Sequence, residues 1–135
     1  MENLKSTKTD TTPEISLNFQ THQLEFSGDS RPENAKLFYT PVFNWITDYF
    51  NYLYFLKDQS TSDAKIIITV NFKFEYFNSS SAKYIIEIIK GLNKINTDNP
   101  KAQVNFNWFY EDEDLLDTGK EFVKITGVPL TYHSI

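Results

Sequence analysis

Ile66-Ile67-Ile68-Thr69-Val70-Asn71-Phe72-Lys73-Phe74-Glu75-Tyr76-Phe77-Asn78-Ser79-Ser80-Ser81-Ala82-Lys83-Tyr84-Ile85-Ile86 reads as a strand, a junction of hydroxyls and the start of a helix. Ile66, Ile68, Val70, Phe72, Phe74 and Tyr76 share one face of the strand, and Thr69, Asn71, Lys73 and Glu75 share the other. After the hydroxyls the period changes. Ile85, Ile88, Ile89, Leu92 and Ile95 mark an amphipathic helix that Asn99-Pro100 closes. A second alternating strand follows, with Ala102, Val104, Phe106, Trp108 and Tyr110 inward and Gln103, Asn105 and Asn107 outward. Strand, helix and strand from Ala64 to Tyr110 form a parallel crossover, and about 98% of such crossovers are right-handed. Parallel strands end at one edge, so the Ser79–Ser81 cluster and the acidic run after Tyr110 are expected side by side.

The flanks extend the pattern. Ile15, Leu17 and Phe19, then Leu24 and Phe26, alternate around Gln20-Thr21-His22 and predict a hairpin. Gly28 to Asn34 reads as a turn. Thr40 and Pro41 read as a helix start, with Phe43, Ile46, Phe50, Leu53 and Tyr54 carrying the helix to about Leu56. Lys57 to Asp63 reads as a polar loop. Leu115, Leu116, Gly119, Phe122 and Val123 predict a last helix stopped by Gly127 and Pro129, with a short strand over Leu130 to His133. Both long strands have one apolar and one polar face. The expected fold is therefore α/β, or α+β. A mixed sheet of four to five strands carries helices mainly on one face. Residues 1–12 are expected to be a disordered or extended leader and 13–135 a single domain.

Composition excludes several functions. The net charge of -5 and the scattered 13 Lys and Arg argue against nucleic acid, which calls for a concentrated basic face. No cysteine is present, so disulfides, thiol nucleophiles and thiolate metal sites are ruled out. No stretch approaches the roughly 18 apolar residues of a membrane span, and Met1 to Pro13 lacks a signal-peptide core. A cytoplasmic protein is expected. The 16% aromatic content has two readings, core and half-exposed sheet residues on the one hand and, on the other, Tyr and Trp left at the surface for an interface, a homodimer included.

Asn78-Ser79-Ser80-Ser81 stands where free N–H groups and the positive end of a helix dipole favour an anion. One cap satisfies a helix start, and three further hydroxyls exceed that need. Together with Thr12-Pro13-Glu14-Ile15, Gly28-Asp29-Ser30-Arg31-Pro32-Glu33-Asn34 and Asn107-Trp108-Phe109-Tyr110, the segment Tyr76-Phe77-Asn78-Ser79-Ser80-Ser81 resembles the SiaC-like family of bacterial regulatory phosphoproteins, from Thr12 to about Leu130. The resemblance implies a STAS-like fold, as in anti-sigma-factor antagonists. It also implies phosphorylation of the hydroxyl directly after the Asn by a Ser/Thr kinase, reversed by a PP2C-type phosphatase. The unphosphorylated form would bind and activate a diguanylate cyclase. The matching position is Ser79, a serine where the family commonly has threonine, with Ser80 as rival and Asn78, Ser81 and Lys83 as surroundings.

Glu111-Asp112-Glu113-Asp114, with Asp117 and Glu121, reads first as a solvated helix N-terminus and second as a partner contact. It lacks the glycine-punctuated loop of a calcium site, and no metal or other cofactor is expected. His22 and His133 lack the partners of a triad or zinc site, and no Gly-rich phosphate loop occurs. No catalytic residue is assigned, and the chain is not expected to be an enzyme. The rival class is a STAS-like module that binds a small ligand or lipid and uses its hydroxyls only as caps.

Overall fold

The computed structural model describes residues 1–59 and 63–135. Six strands lie in the order β1-β2-β3-β4-β5-β6: β1 (Leu4–Ser6), β2 (Glu14–Asn18), β3 (Gln23–Ser30), β4 (Ile66–Phe77), β5 (Ala102–Tyr110) and β6 (Thr131–Ser134). The first three are antiparallel, and β3 to β6 are parallel. Helices α1 (Ala35–Gln59), α2 (Ser79–Asp98) and α3 (Glu113–Thr126) make the three crossovers. Each crossover steps one strand in the same direction. Right-handed connections of that kind must all pass over the same face.

That face is the core. Ile15, Leu17, Phe26, Val70, Phe72, Phe106 and Trp108 from the strands meet Tyr39, Tyr49, Leu53, Ile85, Ile88, Ile89, Leu92 and Phe122 from the helices. The other face carries Asn71, Lys73, Asn107 and His133. On it Lys73 pairs with Glu25 at 2.8 Å, and Asn107 links Asn71 and His133 at 3.0 and 2.9 Å. The mixed sheet with helices on one face is as expected, but it has six strands rather than four or five. The addition is at an edge. Leu4–Ser6, in the segment expected to be a leader, is extended and pairs with Ile15–Leu17. Trp45 ties it to α1 by donating to the Glu2 carbonyl at 2.8 Å.

Three further differences have local causes. Helix α1 starts at Ala35, not at Thr40-Pro41, because the Asn34 side chain accepts the Leu37 N–H at 3.0 Å. Pro41 therefore lies inside the helix. The loop expected over 57–63 is helical through Gln59, and residues 60–62 fall outside the described residues. The turn expected at Gly28 is strand up to Ser30. There the pairing steps from Gly28↔Phe74 to Asp29↔Tyr76, so Glu75 is an extra residue on β4. The bulge reverses the alternation. Tyr76, expected inward, is 53% exposed, while Phe77 packs on the core.

Candidate functional site at the β4–α2 junction

The bulge also sets the phase of the residues that follow. Ser30 pairs with Phe77, and its carbonyl accepts the Asn78 N–H at 3.1 Å, which fixes where β4 gives way to α2. Asn78 is the N-cap. Its backbone is extended (φ -84°, ψ 175°), its side chain accepts the Ser81 N–H at 2.9 Å, and its carbonyl accepts the Ala82 N–H. One residue thus does all the capping.

The three serines are left with different environments. Ser81 is fully buried. Its hydroxyl accepts from Ser30 Oγ at 2.8 Å, and Ser30 Oγ lies 2.5 Å from the Tyr39 hydroxyl, which also hydrogen-bonds Ser81. Each hydroxyl can give one hydrogen bond and take one, so the three close on themselves and join β3, α1 and α2. Burial pushes the Tyr39 phenol up to about 12, against the smaller downward pull of its two serine partners. Ser79 and Ser80 are exposed, at the first two positions of α2. Among the described residues neither their hydroxyls nor their N–H groups have a protein partner. A free alcohol beside two free N–H groups at a helix N-terminus suits a covalently attached anion.

Neither α1 nor α2 has an acidic side chain in its first turn. An open groove of about 910 Å³ lies between these helix ends, lined by Glu33, Lys36, Leu37, Ser80, Lys83 and Tyr84 among others. Lys83 is exposed, with its ammonium 5.7 Å from the Tyr84 ring. Sequence reasoning missed Lys36, Ser30 and Tyr39. Ser30 falls in the segment expected to be a turn, and the glycine two residues before it, at φ +92°, was the available sign of an irregular strand.

The acidic run has a different local role. Asp112 caps α3, its carboxylate accepting the Leu115 N–H at 2.8 Å, and Glu113 and Asp114 occupy the first turn. Glu111, Asp112, Glu113 and Asp114 are all exposed. They follow β5 and the serines follow β4, so both leave the sheet at the same edge. No hydrogen bond or ion pair joins the two clusters among the described residues. No group of three or more metal-ligating side chains occurs among those residues, and no described helix is long and apolar enough to cross a membrane.

The same fold is found in solved structures. Apo-SiaC from Pseudomonas aeruginosa superposes with a TM-score of 0.77 at 21% identity, covering 98% of this chain and 99% of that one. A chain in the crystal structure of the diguanylate cyclase SiaD in complex with its activator SiaC, from the same organism, gives 0.75 at 20% identity, with 98% and 99% covered. An uncharacterised protein of Pseudomonas aeruginosa strain UCBPP-PA14 is 22% identical over 122 residues, 90% of this chain and 88% of that protein. The sequence pattern of the SiaC family regulatory phosphoprotein matches residues 6–135, and the chain accordingly belongs to that family of regulatory proteins rather than to a family of enzymes.

Proposed function

We propose that residues 13–135 act as a partner switch in which Ser79 is the phosphoacceptor. The observation that carries this is the contrast within one turn of helix. Ser81 is locked in the core while Ser79 is exposed, with a hydroxyl that has no partner among the described residues and a neighbouring Asn that already supplies the cap. Ser80 shares the exposure and is the rival acceptor. In this reading a Ser/Thr kinase adds the phosphate and a PP2C-type phosphatase removes it. The unphosphorylated form binds an effector, a diguanylate cyclase as in the SiaD–SiaC complex. The protein would work in the cytoplasm.

The chemistry is local. A phosphate adds about -1.5 to -2 charges at pH 7. The α2 dipole and unpaired N–H groups lower its cost to the fold by about 0.3–1 kcal/mol. The core need not rearrange, since the cap belongs to Asn78. What changes is the surface met by a partner, including the exposed carboxylates of Glu111 to Asp114, which we propose as a contact. Affinity purification of Ser79→Ala and Ser79→Asp forms tests the switch. The alanine form should retain a diguanylate cyclase and the aspartate form should lose it. Equal retention removes the switch. Phosphopeptide mass spectrometry after co-expression with the kinase should place the phosphate on Ser79, and phosphate found only elsewhere refutes the assignment.

A further inference from the structure

The chain has four glycines, and the fold explains three. Gly28 and Gly127 have φ of +92° and +73°, and Gly119 lies against the Trp108 indole. Gly91 has no such reason. It lies within α2, and a Cβ there would meet Ile46 Cγ2 at 3.8 Å, an ordinary contact. A glycine inside a helix costs about 1 kcal/mol relative to alanine. Here it leaves open a trough of about 420 Å³ between α1 and α2, lined by Phe43, Ile46, Phe50, Gly91, Lys94 and Asp98 among others.

The groove at the junction adjoins the trough. Phe43 is 6.2 Å from Tyr84, which also lines the groove with Ser80, Lys36 and Lys83, and Leu37 beside it is 71% exposed. Charge on these walls departs from the rest of the molecule. Lys36, Lys83 and Lys94 line them and make no ion pair among the described residues, against Glu33 and Asp98 at the two ends. Lys90 is held by Glu87 at 3.7 Å. A net positive rim thus borders an apolar floor in a chain of net charge -5.

We infer that this trough docks an amphipathic helix of a partner, apolar on the face it buries and acidic along its flank. An apolar channel between two helices is the shape such helices fill, and the lysine rim selects the sign of the flank. The inference rests on the partner-switch reading for what the helix belongs to, and it adds a mechanism. A phosphate at Ser79 would put negative charge at the head of a rim that attracts negative charge, and so repel the partner without distorting the core.

Amide NMR of the whole chain can test this with two synthetic stapled helices that share one leucine-rich face, one flanked by glutamates and the other by lysines. The glutamate helix should shift signals of residues 43–51 and 91–98 and bind at least about tenfold more tightly than the lysine helix. Gly91→Leu, which fills the trough, should weaken it by about tenfold or more, while Gly91→Ala should raise Tm and change affinity less than about threefold. Shifts confined to the open sheet face overturn the inference, as does absence of saturable binding by either helix. Two further results would do the same: a folded Gly91→Leu variant that binds as well as the parent, or trough signals that move with protein concentration alone, which would mean a second copy. The effector-retention experiment fails separately. If the trough behaves as stated while Ser79→Ala and Ser79→Asp retain the same partner, the docking site stands and the phosphoswitch falls.

Discussion

Gly119 shows how tightly single positions are held. A Cβ at this position of α3 would lie 2.7 Å from Trp108 Nε1, and the indole cannot retreat because it donates to the Leu115 carbonyl at 3.0 Å. Gly119→Ala should therefore destabilise the protein by about 1–3 kcal/mol in urea titration, despite alanine's better helix propensity. The serines at the junction divide in the same way. Ser81→Ala leaves the Ser30 and Tyr39 hydroxyls one partner short in a buried site and should cost about 1–3 kcal/mol. Ser79→Ala removes a hydroxyl with no partner among the described residues and should leave the stability within about 0.5 kcal/mol of the parent. A large loss at Ser79 and none at Ser81 would reverse the roles given to them.

At the scale of elements, α1 shows where sequence signals compete. Thr40-Pro41 is a good helix start on paper, but the cap is Asn34, six residues earlier in the segment expected to be a turn. The earlier cap prevails because Ala35, Tyr39 and Val42 are buried together only if the helix already runs there. The proline then sits in a helix interior, where it withholds a hydrogen bond from the Leu37 carbonyl. Pro41 is exposed, so Pro41→Ala changes little else and should stabilise the fold by about 1–3 kcal/mol, read as a higher Tm. An unchanged or lower Tm would mean that the backbone has already adapted to the ring. The order and direction of the crossover from β4 through α2 to β5 were legible because its periods are long and switch once, at Asn78. The bulge at Glu75 was not, since one inserted residue alters the pairing with β3 and leaves no mark on the hydrophobic pattern of β4 before it. Edge strand β1 is three residues long, too short for alternation to declare it, whereas β6 was expected over Leu130 to His133 after the stop at Gly127 and Pro129. The position of Ser79 and Asn78 could be read locally. The buried ring of Ser30, Tyr39 and Ser81 joins three elements and could not.

The whole molecule should have its stability bounded by buried phenols and an imidazole. Burial pushes Tyr39 up to about 12, and burial, aided by the neighbouring Tyr52, raises Tyr49 as well. Such a group holds its proton more tightly when folded than when unfolded, where it titrates near 10. Its contribution is complete below pH 10 and declines as pH climbs through the folded value. His22 has the opposite sense. Partial burial lowers its pKa below 6.5, and its Nδ1 lies 2.5 Å from the Tyr49 hydroxyl. The folded state binds that proton more weakly, so its contribution is complete above about 6.5 and declines as pH falls below it. Stability should thus be flat from about pH 7 to pH 10 and drop on both sides, measured as the urea midpoint across pH 5 to 12. Tyr39→Phe should remove part of the alkaline fall. His22→Asn should flatten the acid side above pH 5, because asparagine tolerates the φ of +59° found there and does not titrate. A midpoint that keeps its acid slope in His22→Asn would move the cause to other groups, and an alkaline slope untouched in Tyr39→Phe would leave Tyr49 and Tyr132, both raised by burial, as its source.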